Sequence, residues 1–85
     1  MVVVNNELHK LWIKGFLKRL GKRNPLILSD LVKNFPFTQK EKQIILLRYI
    51  ENKTWDEIPD LVFLSKSRVM QLHKKCIAIL ENLAF

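Results

Sequence analysis

Apolar residues recur along this chain at spacings of three and four, the period of helices buried on one side, and not at the spacing of two that a half-buried strand needs. In ELHKLWIKGFLKRLGKR, residues 7–23, Leu8, Leu11, Trp12, Phe16 and Leu20 form such a stripe, with Lys10, Lys14, Lys18 and Arg19 largely elsewhere around the axis. The stripe predicts an amphipathic helix with Trp12 in the core and Gly21 as a left-handed cap at its end. NPLILSDLVKNFP, residues 24–36, then offers Asn24 as N-cap and Pro25 at the first helical position, where a missing N–H costs nothing. Leu28, Leu31, Val32 and Phe35 share the inward face of this second helix. A strand over Leu26–Leu28 is the alternative, but nothing else in the chain pairs with it, so the helix is preferred.

Two sharper start signals follow. Thr38-Gln39-Lys40-Glu41 is a capping box, in which the Thr38 hydroxyl accepts from the Glu41 N–H and the Glu41 carboxylate reaches back to the Thr38 N–H. The helix behind it, to about Glu51, is apolar almost all round at Ile44, Ile45, Leu46, Leu47 and Ile50. It must therefore be covered on more than one side, by the N-terminal helix or by a partner protein. Thr54-Trp55-Asp56-Glu57 is a second box, opening a short helix through about Leu61. Ser65 caps a final helix whose Val69, Leu72, Cys76, Ile79, Leu80 and Leu83 make one core stripe. The expected fold is all-α, a small bundle of four to five helices, and its last helices have the layout of a helix-turn-helix.

Composition narrows the chemistry. Eighty-five residues suffice for a helical core but leave little room for a buried catalytic site and its supports. No Ser/His/Asp order and no glycine-rich loop stands out, so neither enzyme activity nor a cofactor is expected. The lone Cys76 forms no internal disulfide and, with His9 and His73, makes no metal-ligand set. No apolar run approaches the ~18 residues of a membrane span. Residues 2–4 lack the basic lead and long apolar body of a secretion signal, so a cytoplasmic protein is expected. Charge changes the picture more. The net charge is +7, which points to a polyanionic partner. Residues 1–35 carry seven Lys/Arg against two acids, 36–64 four against five, and 65–85 four against one, so positive charge flanks a near-neutral centre.

On the last helix, an inward Val69–Leu72–Cys76 stripe puts Ser67, Gln71 and Lys74 on another side, with Lys66, Met70 and Lys75 beside them. Residue types that bond to base edges and phosphates thus gather in the first turns of a helix with little acid nearby, as a helix entering a DNA major groove requires. A solvated outer face is the plainer reading of the same charges.

The run FTQKEKQIILLRYIENKTWDEIPDLVFLSKSRVMQLHKKCIAIL, residues 37–80, resembles region four of bacterial sigma factors. Thr38 with Glu41, Leu47-Arg48-Tyr49, Thr54 with Glu57-Ile58, Ser65, and Arg68-Val69 with Gln71-Leu72-His73 carry the resemblance, as ordered motifs at fixed spacing. It implies a sequence-specific regulator of transcription that binds double-stranded DNA and acts with bacterial RNA polymerase at promoters. Lys66, Ser67 and Gln71 fall where the family contacts bases, and Arg68 where it touches phosphate. Lys74 and Lys75 are added as phosphate contacts from charge and position alone. The chain divides into a basic N-terminal helical extension, residues 1–36, and a region-four-like helix-turn-helix domain, residues 37–85. Residues 1–36 lack the length and aromatic content of a promoter-melting domain, so the likeness is to short stand-alone regulators of phages and prophages, the ArpU-like type. The block from Lys10 to Arg23 is expected to add phosphate contacts or to dock on the polymerase or on a second copy, leaving a homodimer open.

Two positions depart from the family pattern. Pro59 removes a backbone hydrogen bond inside the first motif helix and predicts a kinked or late-starting helix. Phe63 replaces the usual turn glycine and is expected to pack inward. Elsewhere, His73 is expected on a solvated position, Cys76 buried as a small hydrophobe, and Glu41 paired with Arg48 in a buried ion pair. A rival reading makes the chain an adaptor that binds RNA polymerase or a sigma factor through Leu46, Ile50 and Trp55, with little direct DNA contact. A third and weaker one lays residues 7–20 on an anionic membrane surface, although no membrane partner is expected.

Overall fold

In the computed structural model, which describes residues 6–83, the periodic pattern resolves into five helices: α1 (Asn6–Arg23), α2 (Pro25–Asn34), α3 (Gln39–Tyr49), α4 (Ile58–Val62) and α5 (Lys66–Leu83). The apolar run at residues 2–4 and the side chain of Leu83 lie outside the described residues. The fold is all-α, and the segment Leu26–Leu28 is helical.

The start signals act where they were read. At the head of α3 the Glu41 N–H donates to Thr38 Oγ1 at 3.3 Å and the Thr38 N–H donates to Glu41 Oε1 at 2.7 Å. At the head of α5 the Arg68 N–H donates to Ser65 Oγ at 3.1 Å. Pro25 opens α2, but Asn24 caps it with its backbone carbonyl, which accepts from the Ile27 and Leu28 N–H groups, and not with its side chain. The Thr54–Glu57 box forms too, with the Thr54 N–H donating to Glu57 Oε1 at 3.0 Å and the Glu57 N–H to Thr54 Oγ1 at 3.2 Å. It closes only a turn. Pro59 has no N–H for the Trp55 carbonyl, so regular helix starts late, at Ile58, which leaves Pro59 in a first turn that tolerates it. α3 stops at Tyr49, short of the expected Glu51, and the chain turns through Asn52 in the left-handed region, which Asn accepts readily.

α3 is central and packs against each of the other four helices. Its Ile45 and Tyr49 join Ile13 and Leu17 of α1, Leu28 and Val32 of α2, and Cys76, Ile77 and Leu80 of α5 in one apolar cluster. Its Ile44, turned about 100° away around the axis, joins Ile58 and Val62 of α4 and Val69 and Leu72 of α5 in a second. The chain itself thus covers α3 on two sides. α5 runs through both clusters, its first half held by α4 and its second by α1, with α3 alongside. Truncating a fully buried aliphatic such as Ile45 to Ala costs about 2–5 kcal/mol.

The inward stripe of α1 is not the expected one. Ile13, Leu17 and Gly21 are buried, whereas Leu8, Leu11 and Trp12 are 64%, 60% and 51% exposed. Trp12 stacks on Phe16 with ring centroids 5.8 Å apart and is not a core residue. Both stripes have helical spacing; Gly21 selects between them. Its bare Cα lies against the Tyr49 backbone carbonyl, where a Cβ would overlap the oxygen and crowd Leu28. That close approach turns the positions four and eight residues earlier, Leu17 and Ile13, toward α3. Gly21 is therefore no left-handed cap, and α1 continues through it to Arg23.

Candidate nucleic-acid interface

The turn between α4 and α5 sets the angle at which α5 is presented. Phe63 makes it with φ 59° and ψ 43°, a left-handed conformation costing a non-glycine residue roughly 1–2 kcal/mol. Its ring is 86% exposed, against the expectation that it packs inward. The turn needs a positive φ at this position, and Val62 and Leu64 on either side already occupy the inward places. Lys40 ties the turn to α3: its Nζ donates to the Val62 carbonyl at 2.6 Å and lies 5.8 Å from the Phe63 ring centroid.

Beyond the turn, Lys66, Ser67, Arg68, Gln71, Lys74 and Lys75 are all exposed, as is Met70. Ser67, Gln71 and Lys74 face away from the Val69–Leu72–Cys76 stripe and, with Lys66 and Met70, line an open groove along α5. Four of the six candidate contact residues have partners within the chain. Lys66 Nζ sits 2.7 Å from Asp56 Oδ1, and the hydrogen bond and charge of Lys66 hold that carboxyl below its ordinary range. Arg68 Nη1 donates to Gln71 Oε1 at 3.4 Å. Lys75 lies on the flank toward α3, its Nζ 3.9 Å from Glu41 Oε2.

Glu41 is buried, and its cation is Lys75, not Arg48. The expected Glu41–Arg48 pair does not form because about 10 Å of helix axis separates the two positions, while closer partners satisfy Arg48. Its Nη1 donates to the Lys53 carbonyl at 3.1 Å, and its guanidinium lies 4.7 Å from the Trp55 ring centroid. Cys76 is buried as expected, and burial pushes its thiol up to about 12. His73 is buried as well, which corrects the solvated position read for it. It falls on the edge of the inward stripe next to α1, where Tyr49 and Trp55 enclose it.

Leu46 and Ile50 are half-buried against the first apolar cluster and Trp55 against the second, so much of each side chain is used inside the chain. A further surface lies beside the basic block Lys10 to Arg23, which the sequence marks for phosphate or docking contacts without placing it. Lys14, Gly15 and Lys18 of α1 line a cleft with Arg48, Tyr49, Asn52, Trp55, Met70 and His73, and Lys10, Leu11 and Lys14 line a second with Met70, Lys74 and Ile77. The signal was present as lysines at every fourth position of residues 10–18, but which element they faced was not.

Residues 37–81, from the lead into α3 to the penultimate turns of α5, match the family model of Sigma-70, region 4. The chain belongs to the sigma-70 region 4 family. Searches of curated proteins and of solved structures found no match. The region 4 match makes α4, the Phe63 turn and α5 a DNA-binding helix-turn-helix of that family, with α5 in second place. α1 and α2 lie outside the region 4 match yet share its core.

Proposed function

We propose that this chain is a sequence-specific double-stranded DNA-binding regulator of transcription, working with RNA polymerase at promoters in the bacterial cytoplasm. One observation carries the reading: the open face of α5, where Ser67, Gln71 and Lys74 are exposed on a region 4 helix-turn-helix and no other described element covers them. In the proposal Lys66, Ser67 and Gln71 contact base edges in the major groove, and Arg68, Lys74 and Lys75 contact phosphates. Lys66 must exchange Asp56 for a base, and Lys75 reaches phosphate from beside Glu41. Family membership supports RNA polymerase as the protein partner. Within this reading the chain is a regulator of the phage and prophage ArpU-like type, whose own α1 and α2 complete the region 4 core and form the basic extension of residues 1–36.

The test is a duplex selected by the wild-type protein from a random pool, titrated across a salt series with Gln71→Ala and Arg68→Ala. Gln71→Ala is expected to lose about 1–3 kcal/mol of discrimination between selected and unrelated duplex. Arg68→Ala is expected to lower the log–log salt slope by about 0.9. If the Lys66, Arg68 and Gln71 alanine variants all keep wild-type affinity and slope, DNA recognition by α5 is rejected in favour of an adaptor using Leu46, Ile50 and Trp55.

A further inference from the structure

α1 lies outside the region 4 match, yet it packs along α5 as well as α2 and α3, and the flank it turns beside α5 is a row of lysines. Lys10, Lys14 and Lys18 recur every four residues and so share one side of the helix. His9 Nδ1 lies 3.0 Å from Glu81 Oε2, where the first turns of α1 meet the end of α5. Lys14 and Lys18 border one cleft with Arg48, and Lys10 and Lys14 border the next with Lys74. Met70 lines both clefts and also the groove of Ser67 and Gln71, so the three form one continuous surface. None of the described residues lining it is a carboxylate. The two clefts beside α1 gather five cations, Lys10, Lys14, Lys18, Arg48 and Lys74, with no carboxylate among their described lining residues; like charges so placed repel one another, and a polyanion laid along them relieves that repulsion.

Spacing identifies the polyanion's part. Packed helices lie about 8–10 Å apart, axis to axis, and the major groove is about 12 Å wide. Once α5 fills that groove, a helix packed on its flank stands at the groove wall, where the phosphates are. We propose that α1 is a second DNA-contacting element, with Lys10, Lys14 and Lys18 holding the phosphates of the strand that borders the groove entered by α5. The inference rests on the DNA-binding reading of α5 and adds to it a contact without base preference.

The experiment replaces the three lysines by Gln (K10Q/K14Q/K18Q) and, separately, by Arg, and measures binding to the selected and to an unrelated duplex from about 50 to 200 mM salt. The Gln variant is expected to flatten the log–log slope by about 2.7, to weaken both duplexes alike and to keep their ratio, while the Arg variant restores the slope. Lys14→Gln alone is expected to flatten it by about 0.9 and carries the test should the triple variant lose its helical circular dichroism. An unchanged slope in variants that still prefer the selected duplex overturns the α1 contact and leaves α5 as reader. A wild-type protein that binds neither duplex overturns both readings.

Discussion

Tyr49 Oη lies 2.7 Å from His73 Nε2, inside the protein where α3 packs on α5. The two rings stack with centroids 5.7 Å apart, and Trp55 closes against His73 edge-on at 4.6 Å. Burial drives the Tyr49 phenol well above its ordinary value. Burial first, then the nearby charges of Lys14 and Arg48, depress His73 to about 4. The bond therefore joins a protonated phenol and a neutral imidazole at neutral pH. His73 is two residues beyond Gln71, so the pair holds the rotation of α5 that turns Gln71 outward.

Because His73 titrates at about 4 in the folded chain and near 6.5 when unfolded, the unfolded chain takes up its proton first as pH falls. Its contribution to stability is complete above about pH 6.5 and is lost progressively toward about pH 4, an effect on the order of 3 kcal/mol. Thermal melts over this window should fall more steeply for wild type than for His73→Phe. Equal slopes would show that His73 is not the group responsible.

Phe63 holds a left-handed backbone while its ring faces solvent. Phe63→Gly relieves the strain but gives the unfolded chain more freedom, so a net gain of about 0.5–1 kcal/mol is expected. Phe63→Val, β-branched at the same φ, should lose at least about 1 kcal/mol. Urea unfolding of the two variants checks the order, and a valine variant as stable as the glycine one contradicts the turn geometry.

Gly21→Ala tests the seat of α1. In an exposed helix alanine gains about 1 kcal/mol over glycine. Here its methyl meets the Tyr49 carbonyl and must push α1 from α3, so a net loss of about 2 kcal/mol or more is expected. A variant that melts higher than wild type is incompatible with this packing.

Asp56 accepts a hydrogen bond from Lys66 at the start of α5, and in the proposed complex it competes with DNA for that lysine. Asp56→Asn is expected to raise affinity for duplex roughly twofold at about 0.1 M salt, with little change in melting temperature because the pair is exposed. Fluorescence anisotropy on a labelled duplex reads the first effect and a thermal melt the second. Weaker binding would mean that Asp56 positions Lys66 for DNA.

The helix starts and the order of the five helices were legible because their causes are local. Thr38 and Glu41, or Ser65 and Arg68, are three residues apart, and Pro25 and Pro59 act through their own missing N–H groups. The outward face of α5 was legible for a related reason: one helix has one period, and a long unbroken apolar stripe leaves only its complement for Ser67, Gln71 and Lys74. α1 was less determinate. It carries two overlapping stripes at helical spacing, and periodicity, which picked out Leu8–Leu11–Trp12, does not distinguish them from the buried Ile13–Leu17–Gly21.

What the amino-acid order determined by itself was where α2, α3 and α5 begin, that all described regular structure is helical, and which side of α5 stays wet. Tertiary structure alone decided that Gly21 meets Tyr49, that Tyr49 buries His73, that Glu41 faces Lys75, and that the lysines of α1 border the face of α5. Capping and periodicity act within a few residues of chain, whereas these contacts join positions more than twenty residues apart, and their geometry exists only once the helices have packed.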